Sequence, residues 1–98
     1  MSYTVRFTDD ALQDLTRLYV FLAERDLAAA RRAIGAIRKA VEMLETFPFA
    51  CRKASPSRPA LREMPISFGD AGYVALYEIE DGYVTVLAVR HQLEDDYY

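Results

Sequence analysis

Residues 73–89 read YVALYEIEDGYVTVLAV and contain the strongest fold signal in the chain. Two apolar runs, Tyr73–Ile79 and Tyr83–Val89, flank a short polar turn that includes Asp81 and Gly82. An Asp-Gly pair between apolar runs is typical of a β-hairpin, because both residues tolerate the positive φ angles of the tight turn. The second run is almost wholly apolar, so this strand is expected either to be central or to have its second face covered by another protein.

The first half of the chain predicts one strand followed by two helices. Tyr3–Phe7 alternates apolar and polar residues, as a half-buried strand does. Thr8 is placed to cap a helix that runs from about Asp9 to Glu24, with apolar residues at helical spacing. A second capping residue, Asp26, begins a helix that continues to about Thr46 and stops before a Phe-Pro pair. The link between the helices is so short that they must form an antiparallel hairpin.

The region between the helices and the hairpin predicts one loop and one further strand. Phe49–Pro59 has no hydrophobic period, contains two prolines and is basic, which indicates a loop. Ala60–Ile66 is predicted to be a strand, and Pro65 places it towards a sheet edge because proline lacks an N–H.

Together these elements predict a single domain over residues 1–98, in the order β-α-α-β-β-β. The fold class is α+β, with the helical hairpin packed on one face of a mostly antiparallel four-stranded sheet. The predicted core comprises Leu15, Leu18, Leu22, Ile34, Ile37, Val41, Leu76, Val86 and Leu87.

Composition excludes several classes of protein. The chain has 98 residues, of which 52% are hydrophobic, which suits one globular domain. One cysteine and one histidine rule out an internal disulfide, a cysteine-based zinc site and a multi-histidine metal centre, and we expect no cofactor. The net charge of −3 does not favour binding to nucleic acid. There is no apolar stretch of about 20 residues and no signal-peptide pattern, so we expect a soluble, cytoplasmic protein without membrane contacts.

Three polar residues near predicted strand ends are candidates for chemistry. His91 follows the last strand, where it is either a general acid or base or a solvated surface residue. Arg62 and Arg90 lie in or beside predicted strands and form either a clamp for phosphate or carboxylate, or ion pairs with acids such as Glu78.

Three further residues each have two interpretations. Cys51 is either a reactive thiol beside basic neighbours or a structural cysteine of the loop. Tyr97 and Tyr98 either dock on a partner or belong to a frayed chain end.

The pattern as a whole resembles the ParE branch of the RelE/ParE toxin superfamily, the toxin halves of bacterial type II toxin–antitoxin operons. The resemblance covers essentially the whole chain. It rests on the order and spacing of Tyr3–Thr8 leading into Ala11–Leu15, Phe47-Pro48, Pro59–Met64 with its P-x-L-R pattern, Tyr73–Tyr77, and Val86–Gln92.

The resemblance implies growth arrest or plasmid stabilisation by one of two activities. RelE-like members are metal-free ribonucleases that cut mRNA on the ribosome, and ParE-like members inhibit DNA gyrase and are not enzymes in their own right. Arg62 matches an arginine with which the nucleases hold the phosphate, and Arg90, His91 and Tyr97 lie where they place further catalytic groups. The negative net charge favours gyrase over ribosomal RNA as the target. A non-toxic, antitoxin-binding remnant is the third alternative.

The resemblance also implies a partner, a ParD-like or other antitoxin encoded in the same operon. Its flexible C-terminal segment would fold onto the toxin. Apolar side chains beside the main stripes and on the last strand are candidates for this contact. They are Val20, Phe21, Ala29, Tyr83 and Val89.

Overall fold

The computed structural model describes residues 2–69 and 71–92, which form an α+β arrangement of two helices and five strands. The element order, with a short 3-10 turn at Met43–Glu45, is β1 (Thr4–Phe7), α1 (Asp9–Ala23), α2 (Leu27–Glu42), β2 (Arg52–Ser55), β3 (Arg58–Phe68), β4 (Ala71–Glu80) and β5 (Tyr83–His91).

The strands form one sheet in the order β1-β5-β4-β3-β2. β1 is parallel to β5, and the other neighbours are antiparallel, which confirms the mostly antiparallel sheet. The prediction of four strands is wrong, because β2 lies inside the predicted loop Phe49–Pro59. Its first residue, Arg52, pairs with Glu63 of β3 in backbone register and through an ion pair of 3.3 Å.

Both predicted helix caps are confirmed. The Thr8 side chain accepts a hydrogen bond from the N–H of Ala11 at 3.1 Å, and the Asp26 side chain accepts one from Ala29 at 3.1 Å. These oxygens satisfy N–H groups that the first helical turn leaves without partners. The two helices lie antiparallel as a hairpin, and no helix in the described part of the chain is long and apolar enough to cross a membrane.

The core lies between the helical hairpin and one face of the sheet. Leu18 and Ile37 from the helices pack there with Tyr77 of β4 and Val86 of β5. The remaining predicted helix residues are either buried in this cluster or packed against it. Leu76 and Leu87 are the exceptions to the predicted core.

The position of Leu76 and Leu87 follows from the sheet register. Leu76 is next to Tyr77, which faces the helices, so its side chain lies on the opposite face. Leu87 is the extra residue of a β-bulge, since Tyr77 pairs with Val86 and Leu76 pairs with Ala88. The sequence alternation does not reveal this bulge.

β5 is the strand between β1 and β4, which explains its almost wholly apolar sequence. Val84, Val86 and Val89 are completely buried. The alternative, that a partner protein must cover this strand, is therefore not needed to explain its composition. The turn that joins β4 to β5 contains Gly82 at φ 74°, which confirms the predicted Asp-Gly hairpin.

Candidate functional site

Arg62 lies on the helix-facing side of β3, in register with Tyr77 of β4. Its guanidinium donates hydrogen bonds from Nε to the Pro59 carbonyl at 2.8 Å, and from Nη1 to the carbonyls of Cys51 at 2.9 Å and Phe49 at 3.3 Å. The same guanidinium stacks over the Phe49 ring at 5.4 Å. Among the described residues Arg62 therefore forms no ion pair with an acid; its Nη1 group joins the segment before β2 to the sheet, and its Nε group bonds within β3.

A buried tyrosine, Tyr77, also binds the segment before β2. The Tyr77 hydroxyl is buried and donates a 2.7 Å hydrogen bond to the carbonyl of Pro48. Burial first, and then the neighbouring Cys51 side chain, raise the pKa of Tyr77 far above its usual value, while the Arg62 charge acts in the opposite direction. Cys51 packs against the core cluster, which matches the structural interpretation of this residue.

Arg90 and His91 lie at the other end of the sheet. His91 is in register with Tyr73, and the two rings meet edge to face at 5.5 Å. Arg90 is in register with Val74, whose neighbours face the helices, so Arg90 lies on the opposite face of the sheet.

The described nuclease candidates do not converge on one point. Arg62 is in register with Tyr77 of β4, and His91 is in register with Tyr73, four residues away, which corresponds to about 13 Å along the strand. Across the sheet the two side chains are separated by two strand spacings of about 4.8 Å each. Arg90 is on the other face. Tyr97 lies outside the described residues.

The sheet face away from the helices presents arginines that are already paired with acids. Each guanidinium sits beside a carboxylate of the same face, so these arginines do not add up to a strongly positive surface. The pairs are Arg6–Glu80 at 2.6 Å, Arg58–Glu78 at 2.5 Å and Arg52–Glu63 at 3.3 Å.

The predicted antitoxin contacts have unequal exposure. Val20 and Phe21, near the end of α1, are 49% and 55% exposed, and Ala29 is half-buried. Tyr83 is exposed and lies under the Arg6 guanidinium at 4.1 Å. Val89 is completely buried in the core, so naming it as a contact is wrong for this conformation. The misassignment arose because the sequence does not show that the strand is central.

Sequence reasoning missed Asp14, the one charged residue that is buried in the described part of the chain. Its carboxylate accepts a 2.9 Å hydrogen bond from the Val89 backbone N–H, at a level where β1 has already ended. Asp14 thereby joins α1 to β5. Only its place near the apolar stripe of α1, among exposed acids, hints at this contact.

The sequence is similar to toxins of known type II systems. The sequence profile of the family described as ParE toxin of type II toxin-antitoxin system, parDE, matches residues 5–96. Toxin RelE1 of Caulobacter vibrioides is 35% identical over 94 residues, covering 96% of this chain and 98% of that protein. Toxin RelE3 of the same organism is 37% identical over 84 residues, covering 86% and 88%.

Solved structures have the same fold. A chain of the chromosomal ParDE system from P. aeruginosa superposes with a TM-score of 0.73 at 16% identity, covering 92% of this chain and 96% of that chain. A chain of the RelBE2 toxin–antitoxin complex from Mycobacterium tuberculosis has a TM-score of 0.59 at 28% identity, covering 96% and 95%. The first likeness concerns the fold alone. From the family match and the two relatives, the chain belongs to the ParE toxin family of type II toxin–antitoxin systems, within the ParE/RelE superfamily.

Proposed function

We propose that this toxin arrests growth by inhibiting DNA gyrase, and that an antitoxin encoded in the same operon neutralises it. The observation that carries the choice of target is the hydrogen bonding of Arg62. The arginine at the position that resembles the phosphate-holding residue of the nucleases donates to three backbone carbonyls of its own chain.

A metal-free nuclease needs cationic and proton-transferring groups around one phosphate. In the described chain, Arg62 and His91 are at different ends of the sheet, and Arg90 is on the other face. For Arg62 to bind a phosphate through these groups, Nη1 would have to release the segment before β2, and Nε would have to release the Pro59 carbonyl within β3. This arrangement supports an activity that depends on protein contacts instead of RNA cleavage.

The charge of the chain supports the same target. The net charge is −3, and the only lysines are Lys39 and Lys53. Long-range repulsion would slow association with ribosomal RNA, whereas it places no such limit on contact with a protein target.

An antitoxin contact is supported by apolar side chains along the helical hairpin. Leu12, Val20 and Phe21 of α1 and Leu27 of α2 are all close to half exposed. Exposed apolar groups that gather on one element are common at protein interfaces. The M. tuberculosis structure, one chain of which is 28% identical to this chain, is a toxin–antitoxin complex.

mRNA cleavage on the ribosome is the second candidate, because the two curated relatives carry the name RelE. The two activities differ in how cells stop growing. We expect controlled expression in bacteria to give filamentous cells with a DNA-damage response, and co-expression of the antitoxin to restore growth. Rapid arrest of translation without filaments would support the nuclease instead. Normal growth would indicate a non-toxic remnant.

A further inference from the structure

The exposed face of α2 carries positive charge that no described residue neutralises. Residues 27–41 contain no acid. The α2 face consists of the exposed residues among positions 28–41, which are Ala28, Arg31, Arg32, Gly35, Arg38 and Lys39. Its four cations form no ion pair and no side-chain hydrogen bond with a described residue. The arginines on the sheet face away from the helices are paired with acids instead, so the excess positive charge lies on α2.

The four cations of the α2 face stand in two rows. An α-helix turns about 100° per residue, so two residues seven positions apart lie almost in line along its axis. Arg31 and Arg38 form one row, and Arg32 and Lys39 form the other. Within each row the two residues are about 10 Å apart along the axis. Gly35 lies between the rows, on the side of α2 that points away from the core.

Gly35 has no packing role among the described residues. A Cβ built at this position meets no atom within 4 Å, and the φ angle of Gly35 is not positive. A glycine inside a helix lowers the stability of the helix relative to alanine, so neither the fold nor the backbone conformation explains it. Glycine also allows the backbone of another molecule to approach closely. Its place between two rows of cations therefore indicates a partner whose backbone lies against α2 at this point.

The chemistry of the α2 face favours a phosphate backbone over a protein surface. Protein interfaces have an apolar core in which aromatic residues are enriched and lysine is depleted. The α2 face has no apolar side chain larger than that of Ala28. Guanidinium and ammonium groups bind phosphate oxygens through charge-assisted hydrogen bonds, and several such contacts together supply the sequence-independent part of DNA binding.

From these features we propose that the α2 face binds the phosphodiester backbone of the DNA that gyrase holds. The backbone of one DNA strand lies over Gly35, and the two rows of cations contact its phosphates from both sides. The net charge of −3 repels free DNA, but salt limits this repulsion to about 10 Å. Docking on gyrase brings the α2 face to the DNA, and the local positive charge then strengthens the complex. The inference rests on the proposed inhibition of gyrase, to which it adds a contact with DNA.

The first test is binding of the full-length toxin to a short fluorescent DNA duplex, measured by anisotropy at several salt concentrations. Four phosphate contacts predict that the association constant falls roughly 100-fold between about 50 and 200 mM salt. Arg31→Gln with Arg38→Gln removes two of these contacts, so the slope of log association constant against log salt should fall by about half. Arg52→Gln with Arg58→Gln is the matched control, because it changes the net charge equally and removes two arginines that are paired with acids. The control should keep the slope of the wild-type toxin.

A glycine variant tests the close approach without changing the charge. Gly35→Gln fills the space between the rows with an uncharged side chain that suits a helix, so the melting temperature should not fall. We expect DNA binding at low salt to weaken about 3- to 10-fold, which corresponds to the loss of about one hydrogen bond. Gly35→Ala, which adds only a methyl group, should weaken binding less.

The second test measures how much toxin gyrase needs to trap linear DNA. Arg31→Gln with Arg38→Gln should raise the required toxin concentration roughly threefold or more relative to the control variant, since it removes contacts with the DNA that gyrase holds. Calorimetry with the antitoxin should show equal affinity for the two double variants.

The possible results separate the inference from the proposed target. If both double variants bind DNA equally well and trap it equally well with gyrase, the inference is overturned and gyrase stands as the target. Tighter binding to an RNA duplex than to DNA overturns it too, because the α2 face then suits ribosomal RNA. Weaker antitoxin binding with unchanged DNA binding also overturns it, because the α2 face then contacts the antitoxin. Wild-type toxin that leaves gyrase unaffected rejects the target, and with it the DNA held by gyrase as the ligand.

Discussion

Replacing Arg62 by alanine should destabilise the fold, because the side chain joins the segment before β2 to the sheet. Alanine removes the bonds of 2.9 and 3.3 Å to Cys51 and Phe49 of that segment, and the bond of 2.8 Å to Pro59 within β3. Each such bond is worth about 1 kcal/mol net, and solvent reaches the bonds to Pro59 and Phe49, so we expect a total loss of about 2–3 kcal/mol. In a domain of this size, that loss lowers the melting temperature by roughly 10–20 °C.

Chemical denaturation of purified variants measures the effect. Arg62→Lys should lose about half as much as alanine, because an ammonium group keeps the charge and lacks the planar fork that reaches several carbonyls. Arg58→Ala is the matched control. It removes an arginine of the same strand that is paired only at the surface with Glu78, so it should cost less than about 1 kcal/mol.

The reasoning is refuted if Arg62→Ala leaves the denaturation midpoint unchanged and abolishes toxicity. That result would mean that Arg62 contacts the target and that its bonds to the loop contribute nothing to stability. If the role of Arg62 is structural, the variant loses both stability and toxicity, and lowering the temperature restores its toxicity.

The remaining predictions concern single positions. Asp14→Ala should cost about 1–3 kcal/mol in a denaturant titration, since it strands a buried N–H of β5, whereas Asp14→Asn keeps an acceptor and should recover most of this. Gly72→Ala would place a Cβ 2.1 Å from a carbonyl oxygen of β3 and should lower stability by roughly 1–3 kcal/mol. Gly35→Ala, in open space within α2, should raise stability by about 0.5–1 kcal/mol. The two glycine predictions would be contradicted if both variants changed the melting temperature by the same amount in the same direction. Because the folded protein raises the pKa of Tyr77, the unfolded state loses this proton first as the pH rises, so stability should fall above about pH 10. Tyr77→Phe should flatten that pH dependence of the denaturation midpoint, and an unchanged slope would exclude Tyr77 as its source.

The helices and the β4–β5 hairpin could be predicted because their signals are local. Thr8 and Asp26 cap the helices with their own side chains, and Gly82 supplies the positive φ of the turn. The apolar period then fixes which helix face is buried.

β2 could not be predicted, because its residues become a strand only by pairing with β3. The segment Arg52–Ser55 is polar, and its pairing with Glu63 joins positions eleven residues apart. The bulge at Leu87 could not be predicted for a similar reason, because it depends on the register with the partner strand β4.

The site was harder to predict than the fold. Arginine side chains have many possible partners, and the sequence suggested acids or phosphate for Arg62 where the structure has backbone carbonyls. The contact of Asp14 with Val89 spans 75 residues of sequence and involves a backbone group that has no sequence signature.

The most direct test of the proposed target combines purified toxin, DNA gyrase and supercoiled plasmid. The proposal predicts that the toxin inhibits supercoiling and traps linear DNA, and that added antitoxin abolishes both effects. The same preparation should leave mRNA intact on programmed ribosomes. Unaffected gyrase together with mRNA cleavage in the ribosomal A site would contradict the proposal.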